Sequence, residues 1–194
     1  MIGCKNFNEL EKALSVYDIA ITARIKRLHF ESVKKAASGV IECIEIFPQL
    51  RGQITKFDEY ALGGQIMSSA YAGIIYFNAL KFCRLMPTKE KKLNDCINKR
   101  WYHPENTGFA GCGAHEAGHI LIKDYIQKKY LNKSDDFCFR VWQNSSAAKD
   151  ILNEVAKRNN VKLYNLQKKM CRYAETNASE CIAECISDYV TNKN

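Results

Sequence analysis

His115-Glu116-Ala117-Gly118-His119 places two imidazoles four residues apart with a carboxylate between them. The surrounding segment, Gly113–Tyr125, reads as a helix, and positions i and i+4 of a helix share a face. That spacing lets both imidazoles reach one Zn²⁺ and keeps Glu116 close to a water bound there. The chemistry it points to is metal-assisted hydrolysis, which needs a Lewis acid, an activated water and a base. Gly118 is an awkward residue for an ordinary surface helix, since a mid-helix glycine costs about 1 kcal/mol relative to alanine. It is accounted for if another segment must come close to the helix.

Two histidines do not complete such a site, because a catalytic zinc takes three protein ligands and leaves one position for water. The chain has 4 His and none follows His119, so the third ligand is an acid or a cysteine further on. Ala178–Val190 is the segment that offers one. It reads as a helix capped by Asn177 or Ser179, with Glu180 and Glu184 on one face beside Cys181, Ile182, Cys185 and Ile186. Two carboxylates against an apolar stripe are expensive unless they are paired or bound to metal. One serving as ligand and the other accepting the free N–H of a ligating imidazole would account for both. A solvated helix face with two ordinary glutamates is the competing reading.

Together, H-E-x-G-H and the later Tyr173-Ala174-Glu175-Thr176-Asn177-Ala178-Ser179-Glu180-Cys181-Ile182-Ala183-Glu184 resemble the gluzincin-type metallopeptidases related to the anthrax lethal factor catalytic domain. The pattern is similar to the Pro-Pro endopeptidases, and most similar to zincin-like domains of phages and mobile elements found with minor head proteins. The resemblance covers Gly111–Val190, with a weaker likeness upstream at Ile46–Leu50. It implies a zincin-like metallopeptidase fold and one Zn²⁺ per chain held by His115, His119 and Glu180. It implies Glu116 as the base, Tyr173 as the group facing the activated water or the substrate carbonyl, and Glu184 as the carboxylate supporting a ligating histidine. Cys181 and Cys185 depart from the family pattern, where aromatic or small residues are commoner, and Cys112 sits one turn before His115. The pentapeptide also resembles membrane-bound AAA-type zinc proteases, but no P-loop or transmembrane segment accompanies it.

The elements that must carry these groups follow from the rest of the chain. Phe7–Tyr17 reads as a helix capped by Asn6 or Asn8, and Glu31–Phe47 as a longer one stopped by Pro48. Gln53–Tyr60, Gln65–Tyr71 and Gly73–Asn78 read as strands, with a turn at Gly63-Gly64. The resemblance makes Gln65–Tyr71 the edge strand beside the metal helix, where a substrate backbone would add as a further strand. Thr88–Arg100 reads as a helix and Trp101–Cys112 as a loop leading into the metal helix. His103 in that loop is read as packing near Trp101 rather than as a ligand. Asp136–Trp142 reads as an aromatic core-packing turn, and Ala147–Asn159 and Leu163–Ala174 as helices. These elements amount to one α+β domain over 1–194, with strands and helices in 1–100 and the metal-binding helical part in 101–194. The sheet is expected to be small, mixed and packed on helices.

Bulk properties exclude several classes. Charged residues make up 26% and apolar residues 46% of 194, as in soluble globular proteins. No apolar run of membrane-spanning length occurs, and the start lacks a basic-then-apolar leader, so a cytoplasmic protein is expected. Nine cysteines without a C-x-x-C pair then read as reduced, mostly buried thiols. Cys181 and Cys185, at i and i+4 of one helix, are badly placed for a disulfide and read first as buried thiols, with a soft-metal pair as the lesser alternative. The net charge of +8 is spread over lysine clusters at 89–92, 128–133 and 168–169, which read as solvated helix faces. No nucleic-acid module is present, so no specific nucleic-acid partner and no membrane partner are expected. The expected activity is zinc endopeptidase, and the expected partner is a protein or peptide substrate. The alternatives are a phage or mobile-element assembly module with a vestigial zinc site, virion-associated, or a peptidase delivered as a toxin-like effector.

Overall fold

The computed structural model describes residues 3–61, 63, 66–82 and 108–192. The described residues form seven α-helices and one four-stranded mixed sheet, an α+β arrangement. The expected helix at Thr88–Arg100 and His103 lie outside the described residues, as does Gly64 of the expected turn.

Helix α1 (Phe7–Ser15) is capped by Asn6, whose side chain accepts from the Glu9 backbone N–H. Helix α2 (Phe30–Ile46) ends just before Pro48, which cannot continue it. Strands β1 (Ala20–Ile21), β2 (Lys56–Tyr60), β3 (Ser68–Tyr71) and β4 (Ile74–Asn78) lie in the order β1-β2-β4-β3. Strand β1 was not evident in the sequence, because two residues are too short to show a period. The β1–β2 and β2–β4 pairs are parallel, with Phe57 opposite Ile75. Strands β3 and β4 are antiparallel, with Ser68 opposite Phe77. Ala72 and Gly73 join them with φ of +49° and +77°. Positive φ at both central residues is what a tight two-residue hairpin requires. Strand β3 therefore forms an edge of the sheet.

The remaining helices are α3 (Gly108–Lys129), α4 (Asp135–Gln143), α5 (Ser146–Arg158), α6 (Leu163–Met170) and α7 (Ala178–Thr191). Three expectations are corrected here. Helix α3 begins at Gly108, so residues 108–112 are helical rather than loop. The stretch Asp136–Trp142 is not a turn but most of α4, whose first turn is capped by Ser134 accepting from the Phe137 N–H. The helix begun at Leu163 stops at Met170, and Tyr173 lies in a separate 3₁₀ turn, Tyr173–Glu175.

Helix α3 is enclosed on several sides, and glycines explain how. A Cβ on Gly39 of α2 would meet the Ala110 backbone, and one on Gly113 would meet the Ala36 backbone. The two helices thus cross with their backbones nearly in contact. On another side, a Cβ on Gly118 would lie 3.1 Å from Ala183 Cα of α7. Ser187 of α7 also donates to the Gly111 carbonyl at 3.0 Å, satisfying a buried hydroxyl. A chain of aromatic edges ties α3 to the sheet: Phe57–Phe77 at 5.5 Å, Phe77–Phe82 at 4.9 Å and Phe82–Phe109 at 4.9 Å between ring centroids. The main core draws on residues from Cys4 to Val190, so both halves of the chain build it. No helix among the described residues is long and apolar enough to cross a membrane.

Candidate metal centre

Because α3 is covered by α2, α7 and β3, its polar residues at 115 and 116 are buried as deeply as its apolar ones. His115 is 5% exposed and Glu116 4%. Helix α7 is started by Asn177, whose side chain accepts from the Glu180 N–H at 2.9 Å. That cap sets the first turn and directs Glu180, and Glu184 one turn later, toward α3.

Three atoms meet between the helices. His115 Nε2 and His119 Nε2 are 3.0 Å apart, and Glu180 Oε2 lies 3.0 Å from the first and 3.3 Å from the second. Donor atoms around a tetrahedral ion at about 2.0–2.1 Å stand about 3.3–3.4 Å from one another. The observed triangle matches that spacing to within a few tenths of an ångström. Glu180 Oε2 is buried and lies within reach of both imidazoles. Among the described residues, this is the one group in which three such side chains bring ligand atoms together.

A second layer surrounds the triangle. Glu184, fully buried, holds Oε1 3.2 Å from His115 Nδ1. A carboxylate there can accept a hydrogen bond from Nδ1–H and leave the Nε2 lone pair free for a ligand. Glu116 Oε1 accepts from Ser68 Oγ of β3 at 2.8 Å, a buried bond that links the sheet edge to the helix. The Tyr173 ring lies 5.9 Å from the His115 ring, tilted by 37°. The structure thus brings His115, Glu116, His119, Tyr173, Glu180 and Glu184 into one region.

Glu116, Glu180 and Glu184 place three carboxylates around two imidazoles, and buried anions need a compensating charge. Burial alone would lower the pKa of His115, but the carboxylates of Glu180 and Glu184 outweigh it and hold it well above the usual imidazole value. Burial pushes Glu180 up, and the His115 and His119 imidazoles overcome that and hold it well below the carboxylate range. The raised pKa of His115 favours its protonated form in the metal-free cluster. The buried donors, their spacing and the excess negative charge all fit a metal ion.

The thiols play other parts. Cys112 donates to the Gly108 carbonyl at 3.6 Å, one turn back along α3, and is not one of the three converging groups. Cys181 and Cys185 pair with each other: the hydrogen bond and burial push Cys181 up, while the same bond lowers Cys185. Neither joins a three-ligand group among the described residues, so the soft-metal expectation has no geometric support there. Ser68 is the site residue that the sequence did not reveal. It sits in a short strand, far from the motif, and only the alternation of β3 side chains could have directed it toward α3.

Set against protein-family models, curated proteins and solved structures, the chain matches none.

Proposed function

We propose that this protein is a zinc-dependent endopeptidase with a zincin-like arrangement of its α+β fold. The observation that carries the reading is the triangle of His115 Nε2, His119 Nε2 and Glu180 Oε2, with Glu116 on the same turn of α3. Two nitrogens and one carboxylate oxygen at that spacing form the donor set of a three-ligand catalytic zinc. Zinc bound there supplies Lewis acidity toward water and toward a carbonyl oxygen.

The chain's own groups divide the remaining work. His115, His119 and Glu180 hold the ion. Glu184, against His115 Nδ1, fixes that ring's tautomer and orientation. Glu116 takes a proton from the attacking water and returns it to the departing amine. Its carboxylate is held by Ser68, so its reach toward a substrate on β3 is preset. Tyr173, beside His115, donates to the carbonyl oxygen as negative charge builds on it. Burial of Glu116 and His115 excludes bulk water, which strengthens each of these interactions.

The test is cleavage of a diverse peptide library by wild type and Glu116→Gln, with zinc quantified in both. Near one zinc per chain in each, with cutting by wild type alone, is the expected result. Full activity in Glu116→Gln would remove the base assignment, and a zinc-free wild type after loading would remove the metal site.

A further inference from the structure

Six Lys or Arg and no Asp or Glu lie within residues 155–174: Lys157, Arg158, Lys162, Lys168, Lys169 and Arg172. The whole chain has 29 basic and 21 acidic residues, so this stretch carries most of the excess and the remainder is nearly balanced. All six residues are exposed. Glu154 and Glu175 bound the stretch, and Arg158 engages Glu154 at 3.0 Å. Helix dipoles account for part of the pattern, since Lys157 and Arg158 end α5 and Lys168 and Lys169 end α6. They do not account for Lys162 and Arg172, which lie outside both helices. Nor do they account for first turns without an acid in α5 and α6, where a carboxylate would be stabilising. A run of like charge repels itself, and that repulsion is relieved when an anion binds.

Packing brings this surface to the candidate centre. Leu163, Leu166 and Met170 of α6 turn inward, against the cluster of Cys171, Ala174 and Cys181 that also holds Tyr173. Gln167 Nε2 donates to the Ala174 carbonyl at 3.1 Å, which ties α6 to the 3₁₀ turn. Tyr173 of that turn lies 5.9 Å from the His115 ring, and Arg172 directly precedes it. The exposed cations therefore begin one residue from a group at the centre and run back along α6. Its 8 residues span about 12 Å, the length of about four extended peptide residues. Nucleic acid fits the surface less well. Its exposed aromatic, Tyr164, has Lys168 over the ring at 5.8 Å, so a cation occupies the face on which a base would stack.

We propose that the basic surface of α5, α6 and Arg172 binds the acidic residues of a peptide substrate, and so favours peptides with Asp or Glu within about five residues of the cut bond. Exposed charges of this kind act mainly by steering the encounter, and salt weakens them. The proposal rests on the peptidase reading for the position of the cut, while the affinity for an acidic peptide is measurable without any cutting.

The experiment uses zinc-treated full-length protein carrying Glu116→Gln. Fluorescence anisotropy follows its binding of two labelled dodecapeptides, one with several Glu and one with Gln at the same positions. At low ionic strength the Glu peptide is expected to bind about tenfold tighter, with the advantage shrinking as salt is added. Lys168→Glu with Lys169→Glu is expected to remove that advantage. Lys5→Glu with Lys12→Glu, the same change of net charge on and beside α1, is expected to keep it. Should the Glu pair on α6 misfold by circular dichroism, Lys168→Gln with Lys169→Gln is expected to reduce the advantage by about threefold. Equal binding of the two peptides, an advantage that survives both α6 pairs, or an equal loss in the α1 pair overturns the proposal. So does an oligothymidylate that binds tighter than the Glu peptide and displaces it, which would make the surface one for nucleic acid. Library cleavage by the protein with Glu116 intact separates the two readings. Cutting without preference for nearby Asp or Glu sinks the acidic selection and leaves the peptidase. Preferential binding of the Glu peptide with no cutting keeps the acidic-peptide surface and sinks the peptidase.

Discussion

Two buried carboxylate clusters in this protein meet the same physical demand in opposite ways. Asp58 of β2 accepts from Thr22 Oγ1 at 2.7 Å, from Arg24 Nη2 at 2.7 Å and Nε at 3.2 Å, and from the Glu59 N–H at 2.8 Å. Its charge is balanced by a two-pronged guanidinium and its oxygens are saturated with donors. Glu180 and Glu184, by contrast, face imidazoles, which can each supply at most two protons, and Glu116 adds a third carboxylate nearby. The Asp58 cluster is complete as protein alone. The cluster between α3 and α7 gathers ligand atoms that could hold a cation. Burial of charge is costly in both places, and the donor inventory separates a structural ion pair from a candidate ligand site.

The widest separation between the clusters should come from deleting one carboxylate in each. Glu180→Ala is expected to lower zinc affinity by more than about a hundredfold, above the effect of losing an outer partner, as read by competition with a chelating dye. Asp58→Ala should leave zinc binding unchanged and lower unfolding stability by about 1–3 kcal/mol, because it strips a buried site of its acceptor. Equal zinc affinity in Glu180→Ala and wild type would erase the contrast.

The next effect concerns Glu184. Replacing it by Gln should weaken zinc binding by about ten- to a hundredfold, through a less well oriented His115. A value indistinguishable from wild type would make Glu184 a packing residue only.

Acidity separates Asp58 from His115 in sign. Burial pushes Asp58 up, but the hydrogen bonds from Thr22 and Arg24 outweigh it and lower its pKa. Its contribution to stability is present above the ordinary carboxylate value and lost as pH falls through the lowered one. His115 of the metal-free cluster behaves the other way, with a contribution present below the ordinary imidazole pKa and lost as pH rises, while Glu180 beside it, lowered by the imidazoles, follows the Asp58 sense. Zinc competes with that retained proton, so the rise in Tm on adding zinc should be larger at pH 8 than at pH 6. A zinc-induced shift that shrinks with rising pH would contradict the cluster's electrostatics.

The smallest effect is steric. Gly118→Ala improves helix propensity by about 1 kcal/mol but sets a methyl against Ala183 Cα at 3.1 Å. Overpacking of about 1–3 kcal/mol should win by about 1 kcal/mol in a denaturant melt. Because α3 and α7 carry the converging groups, zinc affinity should fall with it. A stabilised variant with unchanged affinity would show that α7 can move away freely.

Much of this was legible in the chain. The helical spacing of His115 and His119, the i, i+4 pair Glu180 and Glu184, the cap at Asn177 and the stop at Pro48 are local patterns, and local patterns survive without knowledge of the fold. Gly118 also announced a close neighbour. The first turn of α3 was not legible, because Gly108 and Gly111 read as breakers when isolated. That turn packs on α2, whose Gly39 leaves room for the backbone at Ala110. Helix α4 was hidden by Phe137-Cys138-Phe139, an alternation that gives no helical period.

The sequence by itself determined which residues could bind a cation, since residue type and turn-by-turn spacing are short-range properties. Only the tertiary structure decided that Glu180 Oε2 meets both imidazoles at about 3 Å, that Ser68 reaches Glu116 and that a cavity opens beside His119. Those facts depend on how closely α2, α7 and β3 approach α3. That approach is set by glycines, buried hydroxyls and aromatic contacts between segments far apart in the chain, such as Ser187 and the Gly111 carbonyl 76 residues away.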